Sequence, residues 1–358
     1  MTTDFFERFG RCSDIESDTA YLITTAPNRL YATGFQSSDG VVIIKGGRAV
    51  FLVDGRYFEA AKRAVSSMEV RLAASVADDI KRALSDFEAS YVCMETLVTV
   101  AGLERYKAML PDFHVAASDT LTKTLNGMRS VKTPYELDCI KTAQQIAETA
   151  FEHILGFISK DRTEIDIALE LEFFMRRNGA RGAAFDTIAL SGASGSVPHG
   201  VPFEKQLKNG ELLTMDFGAD YKGYKSDMTR TVAIGGVNAR MAEVYEIVLS
   251  AQKAAIGAVR AGVPACDVDR AARNIIDSAG CGEYFVHSTG HGVGLEIHEN
   301  PVIHSKSNKP LCAGNIITVE PGIYIEGEFG VRIEDMLFVD ACGSINLTSA
   351  DKNLIVVN

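Results

Sequence analysis

Two aspartates in the middle of the chain flank a turn signal between apolar, β-favouring runs. Asp216 and Asp227 are eleven residues apart, and a Lys-Gly pair lies between them. The pattern predicts a β-hairpin. The midpoint of the pair falls between Tyr221 and Lys222, so we expect the two aspartates to lie directly opposite each other on one face. Like charges placed in this way repel, and the hairpin gains no stability from them.

A second pair of acidic residues follows the same pattern near the C-terminus. Glu320 and Glu334 are fourteen residues apart, and their midpoint is Gly327, within a Glu-Gly-Glu-Phe-Gly turn. We therefore expect a second hairpin with two facing glutamates. A multivalent cation is the usual reason for several carboxylates in one place. Two such hairpins in one chain indicate a metal site rather than ordinary surface acids.

A single histidine lies between the two hairpins in a glycine-rich segment. His291 is surrounded by Gly290, Gly292 and Gly294, which allow close backbone approach and can aim the imidazole. Four carboxylates and one neutral imidazole have a formal charge of about −4, which two divalent ions would cancel. Two metals roughly 3.5–4 Å apart that share a hydroxide form a hydrolytic site.

These residues resemble the site of a known family, the pita-bread metallopeptidases, which includes Xaa-Pro aminopeptidase (aminopeptidase P), Xaa-Pro dipeptidase (prolidase) and methionine aminopeptidase. The motifs that match are DFG, SDMTRT, TGHGVG, VEPG and VRIED. The resemblance implies that five residues ligate two divalent metal ions, namely Asp216, Asp227, His291, Glu320 and Glu334. Oxygen-rich ligation with one histidine favours Mn(II) or Co(II) and is also compatible with Zn(II); family members are often manganese enzymes.

Three further histidines gain roles from the resemblance. His199 follows a Gly/Ser-rich loop, where an imidazole could donate to a developing oxyanion, and it matches the family's active-site histidine at this position. His287 and His298 match positions that line the substrate pocket, and the position of His298 is also assigned to proton transfer. The alternative for each of the three is a structural histidine held by hydrogen bonds.

Two residues share a strand face with the predicted ligands of the second hairpin. Arg332 and Tyr324 lie at even spacings from those ligands, and an arginine there can hold a carboxylate ligand bidentately. Family members place these two residues near the substrate; the alternative is that both only support the ligands. Asp220, at the first turn, and Asp335, on the opposite strand face, are excluded as ligands.

The resemblance implies a metal-dependent exopeptidase that cleaves the Xaa-Pro bond of short peptides through a hydroxide bridging two metals. Glu320 would accept a proton from the nucleophile, and His298 would relay it to the proline nitrogen. Many prolidases have an arginine directly after the proline of the HExP motif, where this chain has Val302. A dipeptidase needs a partner for the proline carboxylate. The sequence therefore favours an Xaa-Pro aminopeptidase, with an Xaa-Pro dipeptidase as the alternative.

Binding functions without metal catalysis are the other alternative. Relatives that act as binding pseudoenzymes or as metal-free, creatinase-like hydrolases have lost metal ligands, whereas all five ligand positions are intact in this chain.

Length and composition limit the remaining possibilities. A chain of 358 residues suits two domains, which we place at 1–125 and 126–358. A net charge of −11 argues against nucleic-acid partners and anionic membranes. The N-terminus lacks the features of a signal peptide, and no run of about 18 apolar residues predicts a membrane span. Seven scattered cysteines without a C-x-x-C pair are typical of reduced thiols, so we expect a cytoplasmic protein.

The first predicted domain alternates strands and helices, which indicates a layered α/β sheet. Segments 28–35 and 53–57 resemble the creatinase-like N-terminal domain of the proline-specific members. That resemblance implies a homodimer in which this domain partly covers the partner subunit's active site, with Asp54, Arg56 and Tyr57 at the interface. The alternative for these three residues is a turn with an internal Asp–Arg pair.

The second predicted domain repeats one plan, in which two helices precede a carboxylate-bearing hairpin. After a linker at 126–132, Thr133, Pro134 and Glu136 predict the capping-box start of a long helix. The repetition indicates an internal pseudo-twofold through the metal site and agrees with the family's fold. The predicted class is α+β, with a C-terminal pita-bread domain and an α/β creatinase-like N-terminal domain.

Overall fold

The structure is a computed structural model that describes residues 3–13 and 15–357. It divides into two compact units between Arg129 and Ser130. The predicted boundary at 125/126 lies four residues earlier, and the predicted linker at 126–132 is helical as far as Ser130. The helix continues because Leu125 and Met128 pack in the core of the first unit.

The first unit is a sheet with helices on both faces. Its elements are, in order, α1 (Thr3–Gly10), β1 (Thr19–Ile23), α2 (Ala26–Thr33), β2 (Val41–Lys45), β3 (Arg48–Val53), α3 (Phe58–Ala64), β4 (Glu69–Leu72), α4 (Val76–Asp86), β5 (Tyr91–Glu95), α5 (Val100–Met109), β6 (His114–Ser118) and α6 (Asp119–Ser130). Among the described residues the strand order is β4-β3-β2-β1-β5-β6. The β1–β2 and β2–β3 pairs are antiparallel, and the other pairs are parallel. The partly parallel, layered sheet expected from the sequence is therefore present.

The two faces of this sheet bury separate apolar cores. Tyr21 and Ile23 of β1 pack in one core, while their neighbours Ala20 and Leu22 pack in the other. Strand side chains alternate between faces, so a strand that is apolar at every position must be covered on both sides.

The segment expected at a subunit interface forms an internal contact. The Nε and Nη2 atoms of Arg56 donate to Oδ2 of Asp54 at 2.9 and 2.6 Å, and Tyr57 Oη lies 2.7 Å from Ser38 Oγ. The internal Asp–Arg pair considered in the sequence analysis is therefore present, and the interface role of the three residues stays a prediction.

The second unit contains two helix pairs, each followed by strands. Its elements are α7 (Pro134–Leu155), α8 (Glu164–Arg177), β7 (Gly182–Ala183), β8 (Ile188–Ser191), β9 (Leu212–Phe217), β10 (Ala219–Tyr221), β11 (Tyr224–Lys225), β12 (Met228–Ile234), α9 (Ala239–Ala258), α10 (Ala265–Ser278), β13 (Gly290–Gly292), β14 (Glu299–Ile303), β15 (Ile316–Val319), β16 (Gly322–Ile325), β17 (Phe329–Arg332), β18 (Asp335–Val339), β19 (Ser344–Asn346) and β20 (Val356–Val357), with 3₁₀ turns at Gly192–Ser196 and Gly282–Tyr284.

Each helix pair of the second unit shares a core with its own strands. Helices α7 and α8 pack with β8, β9 and β12, whose sheet has the order β20-β12-β9-β8. Helices α9 and α10 pack with β15 and β18, whose sheet has the order β14-β13-β15-β18-β19. The repeated plan of two helices followed by a sheet is the one expected from the sequence.

The start of α7 is a capping box, as predicted. The side chain of Thr133 accepts from the backbone N–H of Glu136, and the Glu136 carboxylate accepts from the backbone N–H of Thr133. This exchange pairs two helix-end donors that would otherwise lack partners. No helix within the described part of the chain is both long and apolar enough to cross a membrane.

The first carboxylate hairpin has a different register from the one predicted. Asp216 pairs with Thr229, which places Asp227 two residues away from the position opposite Asp216. The turn consists of Lys222 and Gly223, both with positive φ (54° and 91°), so its centre is shifted along the chain from the expected midpoint. Positive φ at both central residues is the conformation of a two-residue hairpin turn. The two aspartates are therefore diagonal neighbours, and the predicted direct opposition is wrong.

The second carboxylate hairpin has the predicted register. Val319 pairs with Asp335 and Gly322 pairs with Arg332, so the intervening Glu320 lies opposite Glu334. The turn is centred on Gly327, which has a φ of 72°. A left-handed residue at the centre of a three-residue turn favours glycine.

Substitution of Gly223 tests the turn that sets the first register. A β-branched side chain at this φ costs about 1–3 kcal/mol, so we expect Gly223→Val to lower the thermal midpoint in a calorimetric scan. Lys222→Asn is the control, because asparagine tolerates the left-handed region and should leave the midpoint unchanged. An equal midpoint in both variants would contradict the observed turn.

Candidate metal centre

The five predicted ligands are placed by strand ends of the second unit. Asp216 lies in β9, Asp227 directly precedes β12, and His291 lies in β13; Glu320 directly follows β15, and Glu334 directly precedes β18. Ligand atoms of three of them, Asp227, His291 and Glu334, all lie within 4.8 Å of one another, and all three residues are buried. The structure thus brings together residues more than 100 positions apart in the sequence.

The other two predicted ligands border this cluster. Nε2 of His291 is 3.2 Å from Oε1 of Glu320 and 3.6 Å from Oδ2 of Asp227. Asp216 is held by Arg332, whose Nη2 donates to Oδ2 of Asp216 at 2.5 Å. The imidazole therefore contacts two carboxylates of the site, and Arg332 contacts the fifth predicted ligand, Asp216.

Glycine allows the close approach that the sequence predicted around His291. A Cβ atom on Gly290 would lie 2.0 Å from the carbonyl oxygen of Thr318, and one on Gly292 would lie 2.3 Å from that of Asn300. Real Cβ atoms do not come this close to a carbonyl oxygen, so β13 can fit beside its neighbours only with glycine on both sides of the histidine.

Threonine side chains of β12 join the two hairpins. Thr229 Oγ1 donates to Oε2 of Glu334 at 2.8 Å, and the backbone N–H of Glu334 donates to the carbonyl of Thr229 at 3.1 Å. Two positions along, Thr231 Oγ1 donates to the carbonyl of Arg332 at 2.9 Å. Thr229 and Thr231 were missed in the sequence analysis. Their even spacing from Asp227 was the available signal, because alternate strand residues share a face.

Bidentate pairing of Arg332 with a carboxylate ligand was expected from the sequence, but it is not observed. Only Nη2 reaches Asp216, while Nε donates to Thr229 Oγ1 at 3.1 Å and Nη1 donates to Tyr324 Oη at 2.8 Å. The guanidinium instead divides its donors among both hairpins. Pairing with a predicted ligand is nevertheless present.

Crowding of buried carboxylates dominates the electrostatics of the centre. Burial, together with the neighbouring carboxylates, raises the pKa of Asp227 and Glu334 well above the ordinary range and also raises that of Asp216, where Arg332 opposes the shift. Burial acts in the same direction on Glu320, but the hydrogen bond and charge of His291 lower its pKa to about 2. Among the four carboxylates, only the negative charge of Glu320 is well compensated by a neighbouring protein group. Asp216, Asp227 and Glu334 have too little positive charge nearby.

The residues present fit divalent cations. Oδ1 of Asp216 and Oε1 of Glu334 are buried and have no hydrogen-bond partner among the described residues. A buried carboxylate oxygen without a partner is costly, and a cation removes that cost. Four carboxylates and one imidazole form a donor set suited to Mn(II), Co(II) or Zn(II).

His287 is fixed in one tautomer beside the centre. Its Nδ1 lies 2.8 Å from the carbonyl of Ser288, which can only accept, so Nδ1 holds the proton. Nε2 therefore accepts from the hydroxyl of Tyr324, 2.8 Å away, and the same hydroxyl oxygen accepts from Arg332. Burial lowers the pKa of His287 and raises that of Tyr324 to about 12, so both remain neutral at physiological pH.

His298 and His199 are the exposed histidines of the site. The ring of His298 packs edge-on against His291, with 4.4 Å between centroids. His199 follows the 3₁₀ turn at Gly192–Ser196, which packs so tightly on β17 that a Cβ atom on Gly330 would lie 2.0 Å from the carbonyl oxygen of Gly195. Both rings are therefore accessible, although rigid strands support them.

The two acidic residues that were excluded as ligands have cationic partners elsewhere. Asp220 pairs with Arg181 and Lys225 at the tip of the first hairpin. Asp335 pairs with Arg230 and Lys352 on the strand face opposite Glu334.

Comparisons with known proteins agree with this architecture. Residues 138–341 match the model of metallopeptidase family M24, and residues 15–131 match that of the creatinase/prolidase N-terminal domain. An Xaa-Pro dipeptidase from Pyrococcus horikoshii is 36% identical over 350 residues, which cover 96% of each chain. The structure resembles that of an Xaa-Pro dipeptidase from Bacillus anthracis (TM-score 0.94, 39% identity, 99% of this chain and 100% of that chain). It also resembles an X-Pro aminopeptidase from Thermotoga maritima (TM-score 0.90, 35% identity, 95% and 97%).

A buried carboxylate cluster between two hairpins of a pita-bread fold, with a creatinase-like domain before it, defines a metal-dependent hydrolase. The chain belongs to metallopeptidase family M24, as the sequence resemblance implied.

Replacement of Thr229 tests whether its hydrogen bond positions the predicted ligand Glu334. Thr229→Val keeps the shape but removes the hydroxyl that contacts Glu334 and Arg332, and we expect Mn(II) affinity to fall by about ten-fold. Calorimetric titration of the metal-free protein measures the change. Thr231→Val is the matched control, because this equally buried residue contacts only backbone groups across the hairpins and the hydroxyl of Thr214. Equal losses in both variants would contradict a specific role for Thr229.

Proposed function

We propose that this metallopeptidase is an exopeptidase that hydrolyses the bond between an N-terminal residue and a proline at the second position of short peptides. The observation that supports it is the arrangement of the acidic and imidazole ligands with His287 and His298 around one centre. Named relatives of both proline-specific kinds align with almost the whole chain.

Two divalent ions would be held by Asp216, Asp227, His291, Glu320 and Glu334, with Mn(II) favoured by the oxygen-rich donors. When bound, such ions supply Lewis-acid polarisation of the scissile carbonyl and an activated water. Glu320 accepts a proton during attack, since its carboxylate lies at the centre, 3.2 Å from Nε2 of His291.

The exposed histidines act on the substrate. His199 donates a hydrogen bond to the oxygen of the scissile carbonyl as negative charge develops on it. His298, in edge contact with His291, passes a proton to the departing proline nitrogen. The neutral His287 has both ring nitrogens engaged, so it shapes the pocket and keeps Tyr324 and Arg332 in place.

The first candidate for the preferred substrate is an Xaa-Pro dipeptide. Among the relatives with 35–39% identity whose names state a specificity, four are named Xaa-Pro dipeptidase or prolidase and one is named X-Pro aminopeptidase. This ranking reverses the preference derived from the sequence, because more of the relatives that are named for a specificity are dipeptidases.

The second candidate is Xaa-Pro aminopeptidase activity on longer peptides, and Val302 favours it. Val302 lies in β14, pairs with His291 and is 38% exposed. An apolar side chain there offers nothing to the free carboxylate of a dipeptide, for which a fixed arginine is the natural partner.

Parallel assays of a dipeptide and a tripeptide decide between the two candidates. The Mn(II)-loaded protein is incubated with Ala-Pro and with Ala-Pro-Ala, and kcat/KM is measured from the release of free alanine. Preference for Ala-Pro supports dipeptidase activity, and preference for Ala-Pro-Ala supports aminopeptidase activity. Failure to cleave either peptide with metal bound would overturn the proposal.

Introducing an arginine at position 302 should shift the preferred length of the peptide substrate. We expect Val302→Arg to raise kcat/KM for Ala-Pro relative to Ala-Pro-Ala, because a guanidinium can pair with the proline carboxylate. Val302→Leu is the control and should leave the ratio unchanged. An unchanged ratio in Val302→Arg would show that position 302 does not face the peptide's C-terminus.

Removal of His199 tests the oxyanion role. Loss of one such donor costs about 10²–10³-fold in kcat, so we expect His199→Ala to lower kcat by that factor and to leave Mn(II) affinity unchanged. His114→Ala, at an exposed position of the first unit, is the control and should retain full activity. Loss of metal affinity in His199→Ala would contradict the assignment.

A further inference from the structure

A second charged cluster lies behind the metal centre and has no part in the proposed mechanism. It consists of Arg230, Asp335 and Lys352, and we call it the rear cluster. The side chains of Arg230 and Asp335 are 1% and 0% exposed. Nη2 of Arg230 is 2.8 Å from Oδ1 of Asp335, and Nζ of Lys352 is 2.5 Å from Oδ2. Buried charges of this kind are expensive to desolvate, so their presence needs an explanation.

The guanidinium of Arg230 makes as many hydrogen bonds as it has N–H groups. Nε donates to the carbonyl of Asp351 at 3.0 Å, and Nη2 donates to Asp335 and to the carbonyl of Ala350, each at 2.8 Å. Nη1 donates to the carbonyls of Thr229 and Glu334 at 2.9 and 2.5 Å. No donor remains for solvent or substrate, so the role of this arginine is to connect backbone segments.

Two of the connected segments contain predicted metal ligands. The carbonyl of Glu334 belongs to a ligand itself, and the carbonyl of Thr229 lies two residues after Asp227. One planar, rigid group therefore bonds both carboxylate hairpins from behind. Its geometry limits how far Asp227 and Glu334 can move apart under their mutual repulsion.

The third connected segment lies near the C-terminus and contains no ligand. Residues Ala350, Asp351 and Lys352 contribute two carbonyls and one ammonium group to the rear cluster. The backbone N–H of Ala350 also donates to Oε1 of Glu148 in α7 at 2.7 Å, which ties this segment to a helix. The helix, the C-terminal segment and both hairpins are thus one continuous network.

We propose that the rear cluster is a positioning device for the metal centre, and that the C-terminal segment 350–352 contributes to metal affinity through Arg230. The proposal rests on the metal centre of the proposed function, but not on proline specificity. Loss of the Asp335 charge leaves the buried Arg230 and the partly exposed Lys352 without their counter-charge, so Arg230 shifts and both hairpins separate.

The chain offers a matched control at the tip of the first hairpin. Asp220 is also a buried aspartate paired with one arginine and one lysine, Arg181 and Lys225. Arg181 donates through Nη2 to Asp220 and is half exposed, and among the described contacts neither the guanidinium of Arg181 nor the ammonium group of Lys225 donates to a backbone carbonyl. Asp335→Asn and Asp220→Asn therefore remove the same charge from similar surroundings.

The test is calorimetric titration of the metal-free full-length variants with Mn(II) alone, beside thermal unfolding of each. We expect Asp335→Asn to bind Mn(II) at least about ten-fold more weakly than the unaltered protein, as for other residues that orient metal ligands. Asp220→Asn should lose thermal stability and keep its Mn(II) affinity. Equal Mn(II) affinity in both variants would overturn the proposal and leave the rear cluster with a structural role only.

A second variant covers the case in which Asp335→Asn does not fold. Lys352→Met keeps the Arg230–Asp335 pair and the carbonyls of Ala350 and Asp351, and it removes only the ammonium group that the C-terminal segment contributes. We expect weaker Mn(II) binding with a native-like unfolding transition, and unaltered affinity would overturn the role of this ammonium group. If the unaltered protein binds Mn(II) but cleaves no Xaa-Pro peptide, the proposed function fails alone; if it binds no Mn(II), both proposals fail.

Discussion

Mutual repulsion of four buried carboxylates is the constraint on which the second unit depends. Two unit charges 4 Å apart interact by about 4 kcal/mol at an effective dielectric constant of about 20, whereas a hydrogen bond contributes about 1 kcal/mol net. Hairpin hydrogen bonds alone therefore do not hold Asp216, Asp227, Glu320 and Glu334 together. Arg332 and His291 supply positive charge from the protein, and the partnerless oxygens of Asp216 and Glu334 indicate where further positive charge is needed.

This constraint explains why the predicted metal ligands lie in or beside strands, whereas the exposed histidines lie on connecting segments. Ligands lie in or directly beside strands, where the backbone is fixed by ladder hydrogen bonds and where Thr229 and Thr231 join one hairpin to the other. The exposed histidines, His199 and His298, lie on connecting segments, where a side chain can meet a substrate. A peptidase of this kind needs both properties, because its metals must not move while peptides enter and leave.

The sequence was sufficient for the second hairpin but not for the first. Gly327 is both the midpoint of Glu320 and Glu334 and the residue with positive φ, so symmetry and turn chemistry agree. In the first hairpin Lys222 also adopts positive φ, which the presence of a lysine does not predict. The residue opposite Asp216 is therefore Thr229, two positions after the expected Asp227. The extension of α6 through the expected linker could not be predicted from local sequence either, because the burial of its side chains depends on the fold of the first unit. Residue spacing predicts which side chains share a strand face. It does not predict the role of Arg230, because this arginine donates to backbone carbonyls far along the chain, which any residue type can supply.

The bonds of Arg230 have a consequence for how the protein matures. Its acceptors at Glu334, Ala350 and Asp351 are 104, 120 and 121 positions further along the chain. Forming contacts of such long range requires the closure of long loops, which has an entropic cost and slows folding. During synthesis on the ribosome the first hairpin emerges before the second, so its two aspartates precede the glutamates with which they later cluster. Arg230 can therefore complete its bonds between the two hairpins and this third segment only after residues 350 and 351 have been synthesised and have docked.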